Sequence, residues 1–258
     1  MDWQEVAGNW VLTPRRPIGI VHFLGGAFAA PAPQLTYRWL LEALAQKRYL
    51  VVATPFVQTL DHNEIALEVL KAFETTTERL KKSATLSKAY LPIYGVGHSL
   101  GSKLHLLIGS LFEVSRAGNI LMCYNNHSAR RAIPLVEQLN LTPAFNIEFT
   151  PTPVKTNQLI AQEYSIRRNL LIKFQNDDID QTTSLMNLLQ KRFGNMVASL
   201  TLPGTHITPL GQDVNWQAGR EFTPLDAVGQ WVKQEFLYKD LNQLLREMSR
   251  WLNPVLPV

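Results

Sequence analysis

The sequence has a single cysteine, Cys123, among its 258 residues, so no disulfide can form within the chain. A chain that needs no disulfide needs no oxidising compartment, and we expect it in a reducing cytoplasm. It also lacks an uninterrupted apolar run of about 20 residues, the length that crosses a bilayer. Residues 1–12 lack the basic start and the apolar stretch of a secretory signal. We therefore expect no transmembrane segment, while peripheral contact with a membrane surface stays open.

Charge of one sign is not concentrated anywhere in the chain. Lys and Arg number 25 against 21 Asp and Glu, for a net charge of +4, and basic residues adjoin one another only in pairs. Such a pattern provides no nucleic-acid-binding arm, so we expect no nucleic-acid partner. Hydrophobic residues make up 46% and charged residues 18%, which excludes disorder, a collagen-like chain and a coiled coil. This length allows either one large globular domain or somewhat under two domains of average size.

Short, continuous apolar runs recur along the chain and are typical of strands covered on both faces. They occupy residues 18–24, 50–53, 91–96, 119–124, 170–174 and 197–202. Apolar residues at helical spacing fill most of the intervals between these runs. Strands that alternate with helices form a parallel sheet with helices on both faces. We therefore predict a single α/β domain over 1–258, closed by one or two helices that start near Thr223 and Pro224.

One segment, 128–165, interrupts the alternation. It has no clear strand pattern, its prolines break any long helix, and it is longer than an ordinary connection. We predict that it forms a cap inserted between two strands, and its aliphatic and aromatic residues favour an apolar substrate group. Arg130 and Arg131 near its start have two interpretations: solvated surface charge, or a site for an anionic substrate group or an acidic lipid surface.

The most informative motif is Gly97-His98-Ser99-Leu100-Gly101, which lies between an apolar run and an amphipathic segment. A serine between glycines at a strand-to-helix turn is the pattern of a nucleophile elbow. The glycines let neighbouring backbone approach closely enough to hold the serine in a strained conformation. Its hydroxyl then projects beyond the sheet, and the Leu100 amide at the helix N-terminus can stabilise an oxyanion. The pattern predicts that Ser99 is a nucleophile.

A serine nucleophile needs a histidine to accept its proton and a carboxylate to orient that histidine. Candidates for both roles follow Ser99 along the chain. Asp177, Asp178 and Asp180 come just after one predicted strand, and His206 follows the next one. Serine, acid and histidine therefore occur in the order expected when the serine lies on a strand-turn-helix elbow.

These features make the chain resemble an α/β-hydrolase, from the first predicted strand to the closing helices. Within that fold it resembles a group of hydrolase-like proteins of cyanobacteria and plant plastids for which no activity is established. The resemblance implies that Ser99 is the nucleophile, His206 the general base and Asp177 the orienting acid. Phe174 stands where the family has a glycine before the acid, so Asp178 and Asp180 are kept as alternatives.

The resemblance also implies an oxyanion hole. Residues 22–28 are similar to the family's His-Gly-Gly loop with two residues inserted, so the Gly26 or Ala27 amide is expected to act beside the Leu100 amide. His22 is expected to orient this loop. The residues expected to contact substrate are His98, Phe28, Arg130 and Arg131.

The leading hypothesis is a serine hydrolase that cleaves an ester or thioester through an acyl-enzyme on Ser99. Its partner would be a small-molecule acyl substrate, and it would use no cofactor. A metal site is not expected, because the sequence has neither paired cysteines nor an H-E-x-x-H pattern. The oligomeric state has no signal in the sequence.

Two alternative functions are kept. One is a hydrolase fold that serves as a binding or assembly module without catalysis, since fold does not imply function. The other is a nucleotide-binding protein, because Gly95, Gly97 and Gly101 also match a dinucleotide-binding pattern. That pattern expects an acid after the next strand, where Asn125 and Asn126 stand instead.

Overall fold

The computed structural model describes residues 1–83, 90–129, 148–211 and 226–253, with the backbone alone from 226 to 237. Their strands are β1 Gln4–Val6, β2 Asn9–Leu12, β3 Gly19–Leu24, β4 Tyr49–Ala53, β5 Ile93–His98, β6 Gly118–Met122, β7 Asn169–Asn176 and β8 Val197–Thr205. They form one eight-stranded sheet of order β1-β2-β4-β3-β5-β6-β7-β8. β1 and β2 pair antiparallel, β2 pairs antiparallel with β4, and the pairs from β4 to β8 are parallel. The predicted, mostly parallel sheet is confirmed.

Helices cover both faces of the sheet, as predicted. They are α1 Pro33–Thr36, α2 Arg38–Gln46, α3 His62–Lys82, α4 Leu100–Leu111, α5 Pro153–Glu163, α6 Thr182–Phe193 and α7 Asp226–Leu252. On one face, α2 and α7 share a core in which Leu40 and Leu244 are fully buried. On the other face, α3 packs against α4, and α5 lies between α4 and α6. No helix among the described residues is long and apolar enough to span a membrane.

The central strands are continuously apolar because both of their faces are buried. In β6, Ile120 and Met122 face the core shared with α2 and α7, whereas Leu121 faces the helices of the opposite side. In β7, Ile172 and Leu171 divide between the same two cores. Burial on both sides therefore replaces the apolar-polar alternation of a one-sided sheet.

The strands differ from the prediction at their ends and at one edge of the sheet. β1 and β2 have only three and four residues, and β1 is largely exposed, so neither forms an apolar run of the kind used to recognise strands. β7 and β8 extend beyond their apolar runs to Asn176 and Thr205, where burial falls. These polar extensions carry the chain to the edge of the sheet where the candidate site lies.

The predicted cap range, 128–165, contains an ordinary helix of the fold, α5, which its proline pattern did not predict. Pro153 occupies the first turn of α5, and the Thr152 hydroxyl accepts a hydrogen bond from the Lys155 amide at 3.3 Å. Ile160 is fully buried against α4 and α6. The helix lies in the connection between β6 and β7, which pair in parallel and therefore need a crossover. Residues 130–147 lie outside the described part, so the cap stays a prediction there, as do the helix-start residues Thr223 and Pro224.

Candidate active site

Ser99 occupies a strained turn between β5 and α4. Its φ of 54° and ψ of −117° are unusual for a residue with a side chain, and its amide donates to the Met122 carbonyl at 2.9 Å. A Cβ added at Gly97 would lie 2.6 Å from the Gly101 backbone, and one added at Gly101 would collide with the Leu24 carbonyl. Only glycine fits either position, so the two glycines allow the turn that places the Ser99 hydroxyl above the sheet.

The structure brings Ser99, His206 and Asp177 together from the ends of three strands. His206 Nε2 lies 3.1 Å from Ser99 Oγ, and His206 Nδ1 lies 2.7 Å from Asp177 Oδ2. Asp177 follows β7 and His206 follows β8, and the carboxyl ends of parallel strands meet at the same sheet edge. The Asp177 side chain is fully buried and the His206 side chain is 22% exposed. One face of the histidine therefore stays open to the cavity.

Asp177, and neither of its two alternatives, contacts His206. The Asp180 carboxylate instead accepts hydrogen bonds from the Thr182 amide at 3.0 Å and the Thr182 hydroxyl at 2.6 Å, at the start of α6. Burial alone would raise the pKa of Asp177, but the hydrogen bond from His206 and that from the Ile179 amide lower it below its ordinary value. Asp177 is therefore ionised at neutral pH and holds the Nδ1 proton of His206.

Two polar neighbours of this group were not predicted as site residues. The Asn125 side-chain amide donates to Ser99 Oγ at 3.0 Å, so the Ser99 hydroxyl is left to donate to His206. Cys123 is fully buried with its thiol 3.6 Å from the His206 carbonyl oxygen. Burial and the nearby Asp177 charge raise the pKa of this thiol, which keeps it protonated. Both residues follow β6, the neighbour of the serine strand, and that placement was the available signal.

One of the two predicted loop donors, the Gly26 amide, has a hydrogen-bond partner within the protein. The Gly26 amide donates to the Tyr37 hydroxyl at 2.8 Å, whereas Ala27 and Leu100 line the cavity without that bond. The Tyr37 hydroxyl also bonds His98 Nδ1 at 2.7 Å. Since the tyrosine accepts from Gly26, it donates its own proton to His98. The oxyanion loop is thereby tied to the serine strand.

His98 lines the cavity, but its ring is engaged on both sides. Nε2 donates to the His206 carbonyl at 2.8 Å while Nδ1 accepts from Tyr37. Burial, with a smaller effect of His206, lowers the pKa of His98 to about 3, so the ring is neutral at pH 7. His98 therefore positions the His206 loop.

A cavity of about 670 Å³ opens above Ser99. Its lining includes the predicted contact residues His98 and Phe28, the latter 75% exposed at the entrance. Arg130 and Arg131 lie outside the described residues. The cavity also contains Lys103, which no prediction named although it follows Ser99 by one turn of the motif's own helix. Its other described members are Gly26, Ala27, Ala29, Thr36, Tyr37, Gln58, His62, Ser99, Leu100, Asn125, Asn126, His127, Phe149, Ile179, His206, Ile207 and Leu210.

A family model described as a protein of unknown function (DUF1350) matches residues 2–254. The chain belongs to the DUF1350 family. No curated protein matches the sequence significantly. The fold is nevertheless shared with solved hydrolases, which confirms the predicted α/β-hydrolase architecture.

Three of these structures show the extent of the likeness. A dienelactone hydrolase from Anabaena variabilis has 12% identity and a TM-score of 0.59, with 96% of this chain and 92% of that chain covered. The fluorophosphonate-binding serine hydrolase FphF from Staphylococcus aureus has 14% identity and a TM-score of 0.55, covering 77% and 85%. An S-formylglutathione hydrolase from the same organism has 14% identity and a TM-score of 0.51, covering 75% and 76%. At such identities the likeness shows the fold alone.

The loop histidine His22 does not act where it was expected in this DUF1350 chain. Its ring bonds the Thr54 hydroxyl at 3.1 Å and the Arg116 guanidinium at 3.1 Å, and it stacks on Phe73 with centroids 4.2 Å apart. The side chain of a residue in β3 alternates between sheet faces, and His22 points into the α3 and α4 layer. It therefore stabilises the scaffold beneath the sheet instead of orienting the Gly26 loop.

One group of residues in the described part has atoms close enough to share a metal ion: His98, Cys123 and His206. Each ring nitrogen of the two histidines already has a protein hydrogen-bond partner. The Cys123 thiol lies 3.6 Å from the His206 carbonyl oxygen. These three side chains fit the serine-histidine arrangement better than they fit a metal.

Proposed function

We propose that this protein is a serine hydrolase that cleaves a carboxylic ester or thioester through an acyl-enzyme on Ser99. The observation that carries the proposal is the continuous chain of hydrogen bonds from Asp177 through His206 to Ser99, at the floor of a cavity of about 670 Å³. A nucleophile, its base and the group that orients the base are thus within reach of one another in the conformation the reaction needs.

The proposed first step is attack by Ser99 Oγ on the substrate carbonyl carbon. His206 Nε2 takes the serine proton, and Asp177 stabilises the imidazolium that forms. The carbonyl oxygen becomes an oxyanion, toward which the Leu100 and Ala27 amides can donate. Collapse of this tetrahedral intermediate breaks the bond to the alcohol or thiol, which leaves with the proton from His206.

The second step removes the acyl group. A water molecule gives its proton to His206 Nε2 and attacks the acyl carbon, and collapse of the second intermediate returns the proton to Ser99 Oγ and frees the carboxylic acid. The Asn125 amide, which donates to Ser99 Oγ, keeps the serine oriented between the two steps. An ester or thioester is favoured over an amide because alcohols and thiols leave more readily than amines.

The relatives by fold agree with this class of reaction. Dienelactone hydrolase and S-formylglutathione hydrolase are hydrolases by name, and FphF is described as a fluorophosphonate-binding serine hydrolase. We extend that class to this chain on the strength of its own residues. The likeness to cyanobacterial and plastid proteins, the cap over 128–165 and a cytoplasmic location stay predictions.

The two alternatives find less support. A binding module without catalysis does not require the hydrogen bonds that join Asp177, His206 and Ser99. A nucleotide site needs Gly95 and Gly97 for approach to a pyrophosphate, but a Cβ at Gly95 would collide with the Asn119 side chain and Gly97 faces the Gly101 backbone. Internal packing is thus sufficient reason for both glycines.

A fluorophosphonate probe tests the proposal directly, because it forms a covalent bond only with an activated serine. We expect the wild-type protein to be labelled and Ser99→Ala to be unlabelled. Ser110→Ala removes a hydroxyl from the same helix, where it bonds the Leu106 carbonyl outside the cavity, and this control should label like wild type. Hydrolysis of p-nitrophenyl esters should follow the same pattern. Equal labelling of wild type and Ser99→Ala would refute the proposal.

A further inference from the structure

The cavity contains a buried ammonium group that the reaction at Ser99 does not use. Lys103 is 2% exposed and lines the cavity, and its Nζ has no hydrogen-bond partner among the described residues. Buried charges in proteins are ordinarily paired, because an unpaired one loses its hydration without compensation. The ammonium lies over the Phe149 ring but has no hydrogen-bond acceptor among the described residues, and in a cavity-lining residue this points to a ligand that supplies the acceptor.

A second polar side chain without a hydrogen-bond partner among the described residues lines the same cavity. His62 is 2% exposed, and neither ring nitrogen has a hydrogen-bond partner within the described residues. Its ring stacks on Phe149 with centroids 4.3 Å apart, and Lys103 Nζ lies 5.6 Å from the centroid of that same ring. The Asp61 carboxylate caps α3 by accepting from the Asn63 amide at 2.9 Å, which fixes His62 at the first helical position.

The acid nearest in effect to Lys103 makes no hydrogen bond with its ammonium. Glu148 is the acid that acts on Lys103, but its Oε1 is occupied by the Ala129 amide at 2.9 Å and the Phe149 amide at 2.8 Å. Burial and the Lys103 charge lower the pKa of His62 to about 3, so this ring is neutral and donates one N–H at pH 7. A carboxylate matches one ammonium and one imidazole N–H, whereas a doubly charged phosphate would exceed them.

The position of Lys103 indicates which part of the substrate it meets. His206 protonates the leaving group, which must therefore lie beside it. The chain that follows His206 packs through Leu210 against the core shared with α2 and α7. Lys103 and His62 belong to α4 and α3, which pack on the opposite face of the sheet. A leaving group on the His206 side would direct the acyl group toward these two side chains, of which Lys103 lies roughly 6 Å along α4 from Ser99.

We propose that the acyl group of the substrate ends in a carboxylate, which Lys103 and His62 bind at the inner end of the cavity. The substrate class is thus a half-ester or half-thioester of a dicarboxylic acid, with a short apolar chain between the two carbonyl carbons. This inference rests on the proposed function, because Ser99 defines where the acyl carbon lies.

The test compares two esters of the same length, mono-p-nitrophenyl adipate and its neutral methyl ester, methyl p-nitrophenyl adipate. We expect wild type to have a kcat/KM about 10- to 100-fold higher for the anionic ester, the range that a charge-assisted hydrogen bond supports. Lys103→Met keeps the chain length and removes the charge, so the preference should disappear. Lys71→Met makes the same change on the exposed face of α3 and should retain it.

The pH dependence of the preference supplies an independent readout. Burial lowers the pKa of Lys103 to about 8, with the Glu148 charge acting in the opposite direction, and His62 stays neutral over the same range. The ratio of the two kcat/KM values should therefore decline as pH rises through about 8. Wild type without a preference, or folded Lys103→Met that keeps it, would overturn the inference. Lys103→Gln gives the same comparison if the methionine variant does not fold.

Failure of the proposed function would be recognised separately. In that case no ester is hydrolysed in a Ser99-dependent way, and binding replaces turnover as the measurement. Calorimetry on Ser99→Ala should then show that monomethyl adipate, a monoanion, binds and that neutral dimethyl adipate does not. The double variant Ser99→Ala/Lys103→Met should bind neither compound. Equal binding of both compounds, or none of either, would refute the carboxylate site whatever the fate of the catalytic proposal.

Discussion

Lys103→Met should make the protein more stable, in contrast to most substitutions of buried residues. Wild type keeps an ammonium in a site with 2% exposure and no hydrogen-bond partner among the described residues. Burial lowers the pKa of Lys103 from the ordinary value of 10.5 to about 8. The gap between these values corresponds to about 3 kcal/mol of destabilisation at pH 7, since one pKa unit is about 1.4 kcal/mol. Methionine of similar length avoids that penalty.

The same pKa values give the sign of the pH dependence. Below pH 8 the lysine is protonated in the folded and the unfolded chain, so the penalty is constant. Between pH 8 and 10.5 the unfolded chain binds more protons than the folded one, and the stability of wild type rises relative to the variant. The advantage of Lys103→Met should therefore be largest at pH 7 and should narrow towards pH 10.

Urea denaturation of both proteins at intervals from pH 7 to pH 10 measures this difference, with Lys71→Met as the control for loss of an exposed charge. A variant that is no more stable than wild type at pH 7 would refute the claim that the ammonium is unpaired. A difference in unfolding free energy between the variant and wild type that does not change with pH would refute it as well. Together with the substrate test, the expected result describes a residue retained for binding at a cost in stability.

Three further outcomes are expected. Asp177→Asn should lower kcat by about 10³- to 10⁴-fold, because the amide no longer holds the Nδ1 proton of the histidine, whereas Asp180→Asn should change kcat only slightly; similar losses in both would contradict the choice of acid. Tyr37→Phe should cost about 1–3 kcal/mol of unfolding free energy, because the buried Gly26 amide loses its acceptor, and unchanged urea denaturation would contradict this. Three buried histidines have pKa values lowered to about 3 by burial, against 6.5 in the unfolded chain, so stability should be full above pH 6.5 and fall with acidification, by about 2 kcal/mol each at pH 5. These histidines are His62, His98 and His105. A Tm that stays constant between pH 7 and pH 5 would contradict the expected loss of stability.

The architecture was accessible from the sequence because its signals are local. Strands buried on both faces need continuous apolar runs, and the glycines around Ser99 are needed by backbone contacts within a single turn. β1 and α5 were not predicted, because neither has a clear local signal in the sequence. β1 is short and exposed at the sheet edge, and α5 lies in a segment whose prolines suggested an interruption, although Pro153 only begins the helix.

The chain order of Ser99, Asp177 and His206 could likewise be inferred, since residues that follow parallel strands meet at one sheet edge. Which aspartate contacts the histidine could not, because three acids lie within four positions and the choice depends on the path of the loop after β7. The same difficulty applies to the loop donor. Tyr37 follows Gly26 by 11 residues, and only the folded structure shows that its hydroxyl accepts a hydrogen bond from the Gly26 amide.

Local chemistry in this sequence thus determined the sheet, the elbow and the class of reaction to expect. Tertiary structure decided what each polar group meets. Lys103 shows the difference most clearly: as the fourth residue after Ser99 it could have faced solvent, and helical spacing alone does not distinguish the two cases. The packing of α3 and α4 buries it beside His62 without an acceptor, because burial and partnership are properties of the assembled layers and not of any one segment.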